Sequence, residues 1–357
     1  MSVERWTLKT QTGNPALIKL IRSEIHQHGP VSFAWFMQQA LYHPEHGYYS
    51  CGRCAIGRRG DYFTNVSVGP LFGRLLAAQF AEIWERLGKI DNFVIVEQGA
   101  HDGQFARDIL ESMQERAPEF FAVLRYRIVE PFPILQERQR QVLESYRDKV
   151  EWNDAIEPFT GVHFSNELLD AMPVRLIGGE MEKFVDCDGE SFVFVERPLT
   201  ESLKCNQAAL DWVENVAAKL QRGYVLTIDY GHAQRESRAA VQVRAQHRHL
   251  ESPFEQIGCA DIATYVDWTS IAQRAQANGL SLAGFTDQHH FLAGIISKWP
   301  DLTRDGVAKT KRQLQTLLHP EMLGRSFQVL ALAKRIGSRT SLAGFKFARD
   351  LRVSLGI

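Results

Sequence analysis

The stretch Phe93-Val-Ile-Val-Glu97-Gln-Gly99-Ala-His101-Asp-Gly103-Gln104 decides the fold. Its apolar, β-branched opening reads as a buried strand, its two glycines as a turn, and residues 104–116 as a helix that follows at once. Strand, glycine turn and helix in that order make the first βα unit of a parallel sheet, and ligands of such sheets bind at the carboxyl ends of the strands. Glycine suits the turn because it admits positive φ and leaves room for a ligand against the backbone. No Gly-Lys-Ser/Thr follows, which excludes a P-loop. Glu97, two positions before Gly99, suits a cationic or hydrogen-bond-donating group such as an amino-acid ammonium better than a pyrophosphate.

The next strand, residues 124–130, ends in Glu130, where a carboxylate accepts hydrogen bonds from both hydroxyls of a ribose. A third strand near residues 150–152 ends in Asn153-Asp154, placed to reach an adenine edge. Glu130 and Asp154 also read as ordinary strand-end residues. With Glu97 they set the expectation of an adenosyl ligand that lacks phosphate. The rhythm continues with a helix at 134–146, a strand at 162–166, a helix at 207–220, a strand at 223–229, a helix at 268–278 and strands at 280–285 and 327–334. Such alternation predicts a parallel sheet covered on both faces. A hairpin over residues 182–196, turning at Asp188-Gly189, interrupts it.

Upstream, residues 15–41 carry apolar positions at helical spacing, broken at Gly29-Pro30 into two helices. Residues 42–64 show neither period and read as a structured loop, and loops of that length are usually functional. Phe72, Leu75, Leu76, Phe80, Ile83, Trp84 and Leu87 form one stripe on a long helix over 70–87. The expected organisation is an N-terminal helical cap and lid loop over 1–64 and a main domain over 65–335. That domain carries insertions at about 179–221 and about 233–267, and 336–357 form a peripheral C-terminal tail.

The chain has 357 residues, 45% hydrophobic and 23% charged, as a folded globular protein does, which excludes disorder as a description of the whole. Lys plus Arg number 41 and Asp plus Glu 42, a net charge of −1, so no excess of positive charge is present to cover a long nucleic-acid footprint. No apolar run approaches the roughly 20 residues of a membrane-spanning helix. The opening Met1-Ser2-Val3-Glu4-Arg5-Trp6 shows no export or organelle signal, and five cysteines do not suggest a disulfide framework. A soluble, cytoplasmic protein is expected.

Seven motifs in order resemble the MidA-like family of class I methyltransferases, which includes the mitochondrial protein arginine methyltransferase that assists complex I assembly. They are His43-Pro-Glu-His-Gly47-Tyr-Tyr49, Gly60-Asp61-Tyr-Phe-Thr64, Phe72-Gly73, Val96-Glu97-Gln-Gly99, Ser165-Asn166-Glu167-Leu-Leu-Asp170-Ala-Met-Pro173-Val174, Ile228-Asp229-Tyr-Gly231-His232 and Asp261-Ile-Ala-Thr264-Tyr-Val-Asp267. The likeness spans most of residues 30–335. It implies an α/β, Rossmann-like seven-stranded sheet whose last strands form an antiparallel pair, with an N-terminal helical cap and an insertion before the fifth strand. It further implies S-adenosylmethionine as cofactor, held by Gly60, Asp61, Thr64, Glu97, Gly99, Gly103, Glu130, Asn153, Asp154 and Asn166. A protein substrate follows by the same analogy, a respiratory-complex subunit among the possibilities, with arginine as the expected acceptor. Two departures stand out: His101 replaces the middle glycine of the family's Glu-x-Gly-x-Gly-x-Gly, and Asn65-Val66-Ser67 replaces Ser-Pro-Glu. They leave a second reading open, a catalytically degenerate methyltransferase fold acting as an assembly or protein-binding factor.

Methyl transfer from a sulfonium is an in-line displacement, so the protein mainly aligns nucleophile, methyl carbon and sulfur. A guanidinium stays protonated in water, and planar carboxylates fix it through paired hydrogen bonds. Glu167 and Asp170, three apart after the fourth strand, are the candidates, against a plain role at a helix N-terminus. Asp229 and His232 follow the fifth strand on the same edge, with His232 a candidate proton acceptor. His43, His46, Cys51 and Cys54 have the residue types of a zinc site, but they crowd one short loop and no metal is expected. A nicotinamide-dependent oxidoreductase explains neither Glu97 nor the other motifs.

Overall fold

The apolar run Phe93–Gln98 forms strand β1 in the middle of a mostly parallel sheet, buried along nearly its whole length. This is why it reads as continuous rather than alternating hydrophobicity. The computed structural model describes residues 13–52, 64–199, 204–232, 241–304, 307–337 and 341–357. In it β1 lies between β2 (Leu124–Val129) and β4 (Phe159–Asn166), with β3 (Val150–Asn153) beyond β2 and β5 (Leu220–His232) beyond β4, all parallel. β7 (Phe327–Lys334) pairs antiparallel with β5, and β6 (Ser281–Asp287) antiparallel with β7, so the order is 6-7-5-4-1-2-3. The two-residue strand Val266–Asp267 also pairs with β5. This is the seven-stranded arrangement with a closing antiparallel pair that the family resemblance implied; the strand and helix alternation alone had pointed to a parallel sheet.

The chain divides into two compact units, one built from 64–169, 210–235 and 266–357, the other from 1–63, 170–209 and 236–265. The first unit holds the sheet just described. Its helices Leu71–Arg86 and Gln104–Arg116 approach so closely that a Cβ on Gly73 would lie 2.5 Å from Asp108 Cβ. Around them Phe72, Phe105, Phe164 and Phe80 form a chain of ring contacts with centroids 4.5 to 5.7 Å apart. Gly73→Ala therefore forces these two helices apart and is expected to lower unfolding free energy by about 1–3 kcal/mol, read from the urea midpoint. Residues beyond β7 are packed as well: Leu342 and Phe345 join the same core, and Leu355 is buried. The N–H groups of Ala343 and Gly344 donate to Glu82 and Gln79. A tail that had read as peripheral is packed because its apolar side chains have a surface to cover.

The second unit carries helices Pro15–His28 and Phe33–Tyr42 and two antiparallel sheets. One consists of Val31–Ser32, Leu176–Gly178, Met181–Asp188 and Ser191–Pro198, the other of Gln242–Ala245, Arg248–Leu250 and Asp261–Ala263. Val31 pairs with Val185, so the N-terminal helices and the hairpin insertion fold as one body. Phe33, Phe36, Phe192, Phe194 and Phe254 cluster between them. His43 and His46 stack their rings with centroids 5.0 Å apart. Among the described residues no group of three or more His, Cys, Asp or Glu could hold a metal, and Cys54 lies outside them. No described helix is long and apolar enough to cross a membrane.

Candidate functional site

Strand register levels the carboxyl ends of β1 to β4, and β5 runs on past them. Gln98 pairs with Val129 and with Ser165, Val129 with Asn153, and Asn166 with Ile228. The loop leaving β1 is therefore flanked by Glu130 after β2, Asn153 ending β3, Asn166-Glu167 at the end of β4 and Asp229 within β5.

In the loop, Gly99, His101 and Gly103 have φ of 82°, 49° and 84°. His101 thus keeps the left-handed backbone that a glycine would adopt there, at a cost of roughly 1–2 kcal/mol for an L-residue. The Gly103 N–H donates to Ala100 O (2.8 Å), and Asp102 Oδ1 accepts from Gln104 N–H (3.1 Å) to start the helix. Burial opposes ionisation of Asp102, yet the hydrogen bond and charge of neighbouring His101 hold its carboxyl below the ordinary range.

Glu97 points into the core, 4% exposed, and accepts the Tyr126 hydroxyl at 2.7 Å. Burial pushes it up to about 8 against the opposing Tyr126 hydrogen bond. Its native state therefore keeps a proton that the unfolded chain loses above pH 4.5, so its stabilising contribution is full below that pH and lost as pH rises through about 8. Unfolding free energy is expected to fall across this window by at most about 1.4 kcal/mol per pH unit from this group, and Glu97→Gln to flatten the slope. Urea titrations at successive pH values give the answer.

Glu130, 5% exposed, accepts Phe132 N–H with Oε1 (3.1 Å) and Gln139 Nε2 with Oε2 (3.2 Å). Burial raises its pKa, with those two hydrogen bonds opposing. Gln139 Nε2 also donates to His101 O (2.9 Å), and Gln139 Oε1 accepts Trp152 Nε1 (2.9 Å). Asn153 Oδ1 is buried and, among the described residues, has no hydrogen-bond partner. Asp154 is exposed and receives Gln136 Nε2 at 3.4 Å.

On the other side, Glu167 has φ 54°, a left-handed non-glycine residue directly after β4. Its Oε1 accepts Asn166 Nδ2 (2.7 Å) and Asn65 N–H (3.3 Å), and Asn65 Nδ2 donates to Asn166 Oδ1 (2.9 Å). Asp229 is fully buried, and its carboxylate accepts the N–H groups of Leu168, Leu169 and Tyr230 at 2.7 to 3.0 Å. Thr64 and Ser67 exchange hydrogen bonds in a local turn. Asp170 belongs to the other unit, where its carbonyl accepts Thr264 N–H (2.8 Å). His232 ends β5 opposite Asp267. Gly60 and Asp61 lie outside the described residues.

Gln139, Tyr126 and Asn65 did not stand out in the sequence. Burial is what singles out Gln139: with Leu135 it is one of two buried residues of helix Pro133–Val142, four positions further along the same face. Buried polar groups need partners, so such a position points to a network. The orphaned Asn153 Oδ1 and the carboxylate of Glu130 fit an adenosyl group: one offers an acceptor to an exocyclic amine, the other to ribose hydroxyls.

Comparison with known proteins agrees. Residues 75–286 match a family model described as "Putative S-adenosyl-L-methionine-dependent methyltransferase". A crystal structure from Burkholderia thailandensis, of a superfamily member bound to S-adenosyl-homocysteine, superposes with a TM-score of 0.83 at 29% identity over 94% of this chain and 96% of that one. The protein arginine methyltransferase NDUFAF7 homolog, mitochondrial, of Drosophila melanogaster is 26% identical over 95% of this chain and 85% of its own length. The Homo sapiens protein arginine methyltransferase NDUFAF7, mitochondrial, is 24% identical over 95% and 87%. These names correct one expectation: the relatives are mitochondrial proteins, which conflicts with the cytoplasmic location read from the sequence. By the match over most of its catalytic sheet, the chain belongs to this family of S-adenosyl-L-methionine-dependent methyltransferases.

Proposed function

We propose that this methyltransferase modifies arginine side chains of a protein substrate, as its relatives' names state for them. The observation that carries the reading is Glu167: a carboxylate on a left-handed turn at the end of β4, with Oε1 fixed by two N–H donors. Left-handed non-glycine backbone costs stability and concentrates at functional sites. A carboxylate so fixed can hold a guanidinium by charge-assisted hydrogen bonds and orient one nitrogen for in-line attack.

S-adenosylmethionine supplies an electrophilic methyl group on its sulfonium. In this reading Glu130 accepts the ribose hydroxyls, Asn153 Oδ1 an adenine N–H, and the Gly99–Gly103 turn lets the backbone approach the methionine portion. The glycine-like backbone of His101 supports a working cofactor loop over a degenerate one. Asn166 and Asn65 orient Glu167, and Asp229 positions the turn through the Leu168 and Leu169 amides. A respiratory-complex subunit is the acceptor that the family likeness favours.

The test is incubation of the purified chain with methyl-labelled S-adenosylmethionine and a mitochondrial protein extract, followed by acid hydrolysis and amino-acid separation. Label in methylarginine is expected. Label confined to methyl-lysine, or to no protein residue, contradicts the proposal.

A further inference from the structure

The buried carboxamide of Gln139 ties together groups that no sequence motif links. Trp152 Nε1 is a donor only, so the Gln139 atom facing it at 2.9 Å must be the oxygen. That fixes the nitrogen toward His101 O at 2.9 Å and Glu130 Oε2 at 3.2 Å, one hydrogen for each. Gln139 is completely buried, and the three hydrogen bonds that its amide makes all lead to residues of the cofactor edge: the loop after β1, the acid after β2 and the indole on β3. A polar group enclosed in this way is costly unless every bond is made, so its orientation is strongly specified.

We propose that Gln139 is a positioning residue for S-adenosylmethionine, setting the Glu130 carboxylate against the ribose and locking the loop carbonyl of His101 in one register. The proposal rests on the ribose role of Glu130 given above. The amide N–H suits this task because it can satisfy a carboxylate and a carbonyl at once. An isosteric carboxylate cannot: Gln139→Glu still accepts from Trp152 but faces Glu130 Oε2 and His101 O with oxygen. Trp152→Phe removes the donor that holds the amide oxygen, so that Glu130 and His101 O alone orient the amide, and leaves Glu130 and the loop themselves unchanged.

The experiment is calorimetric titration of S-adenosylhomocysteine into the full chain and its Gln139→Glu, Trp152→Phe, Glu130→Ala and Glu130→Ala/Gln139→Glu variants, with thermal unfolding alongside. Gln139→Glu is expected to weaken binding by roughly 30-fold or more and Trp152→Phe by roughly 3- to 10-fold, as loss of hydrogen bonds to a charged group and of orientation implies. In the Glu130→Ala background the cost of Gln139→Glu is expected to shrink to a small factor, because groups acting through one another are not additive. Full costs in both backgrounds, or parental affinity in folded Gln139→Glu and Trp152→Phe, overturn the proposal while leaving the ribose reading standing. If Gln139→Glu does not fold, Trp152→Phe alone decides on the same criterion. Parental affinity in Glu130→Ala overturns the ribose reading itself, and the inference with it.

Discussion

Glu167→Gln is expected to lower turnover on an arginine acceptor by about 100- to 1,000-fold while leaving S-adenosylhomocysteine affinity within about threefold of the parent. The substitution keeps shape and volume but removes the charge that a guanidinium needs, and replaces one acceptor oxygen with a donor. The surroundings amplify the effect. Oε1 already receives the Asn166 side chain and the Asn65 N–H, so an amide that keeps its oxygen there puts its nitrogen in place of Oε2, the oxygen that the proposed reading gives to the acceptor. Its donors would meet those of the guanidinium, and alignment for in-line attack would be lost. Steady-state kinetics on an identified acceptor, paired with calorimetry, separates lost chemistry from lost cofactor. A Glu167→Gln enzyme with parental turnover removes this carboxylate from the reaction.

Glu130→Ala carries the second large effect, on binding. Hydrogen bonds to a charged acceptor are worth about 1.5–3 kcal/mol each. Loss of two from ribose hydroxyls is expected to weaken S-adenosylmethionine and S-adenosylhomocysteine about 100-fold or more. The buried site makes replacement by solvent poor, since Glu130 is 5% exposed and held from both oxygens. Equal weakening of both ligands is expected, because the ribose is common to them. Weakening of one alone would place Glu130 elsewhere on the ligand.

The central sheet was legible because strands buried on both faces are mostly continuous apolar runs separated by amphipathic helices, as Phe93–Gln98 shows in the parallel part and Phe327–Lys334 in the antiparallel pair. Strand-end residues were legible for the same reason: once β2 and β3 are found, Glu130 and Asn153 fall at their carboxyl ends. The association of the N-terminal helices with the 181–198 hairpin was not, since the pairing of Val31 with Val185 joins segments far apart in sequence and leaves no local period. Glu97 shows a different limit. Its place in the motif was visible, but its side chain lies on the core face of β1 against Tyr126, a matter of strand phase that a motif does not encode. Gln139 escaped because one glutamine among many on a polar helix is unremarkable until burial singles it out.

The account depends most directly on cofactor binding by the chain as it stands, with histidine at the middle position of the glycine loop. Calorimetric titration of the purified protein with S-adenosylmethionine and, separately, S-adenosylhomocysteine tests it. One-to-one binding of both ligands with Kd of about 1–100 μM is expected, equivalent to roughly 5–8 kcal/mol. Absence of binding by either ligand to folded protein would contradict it.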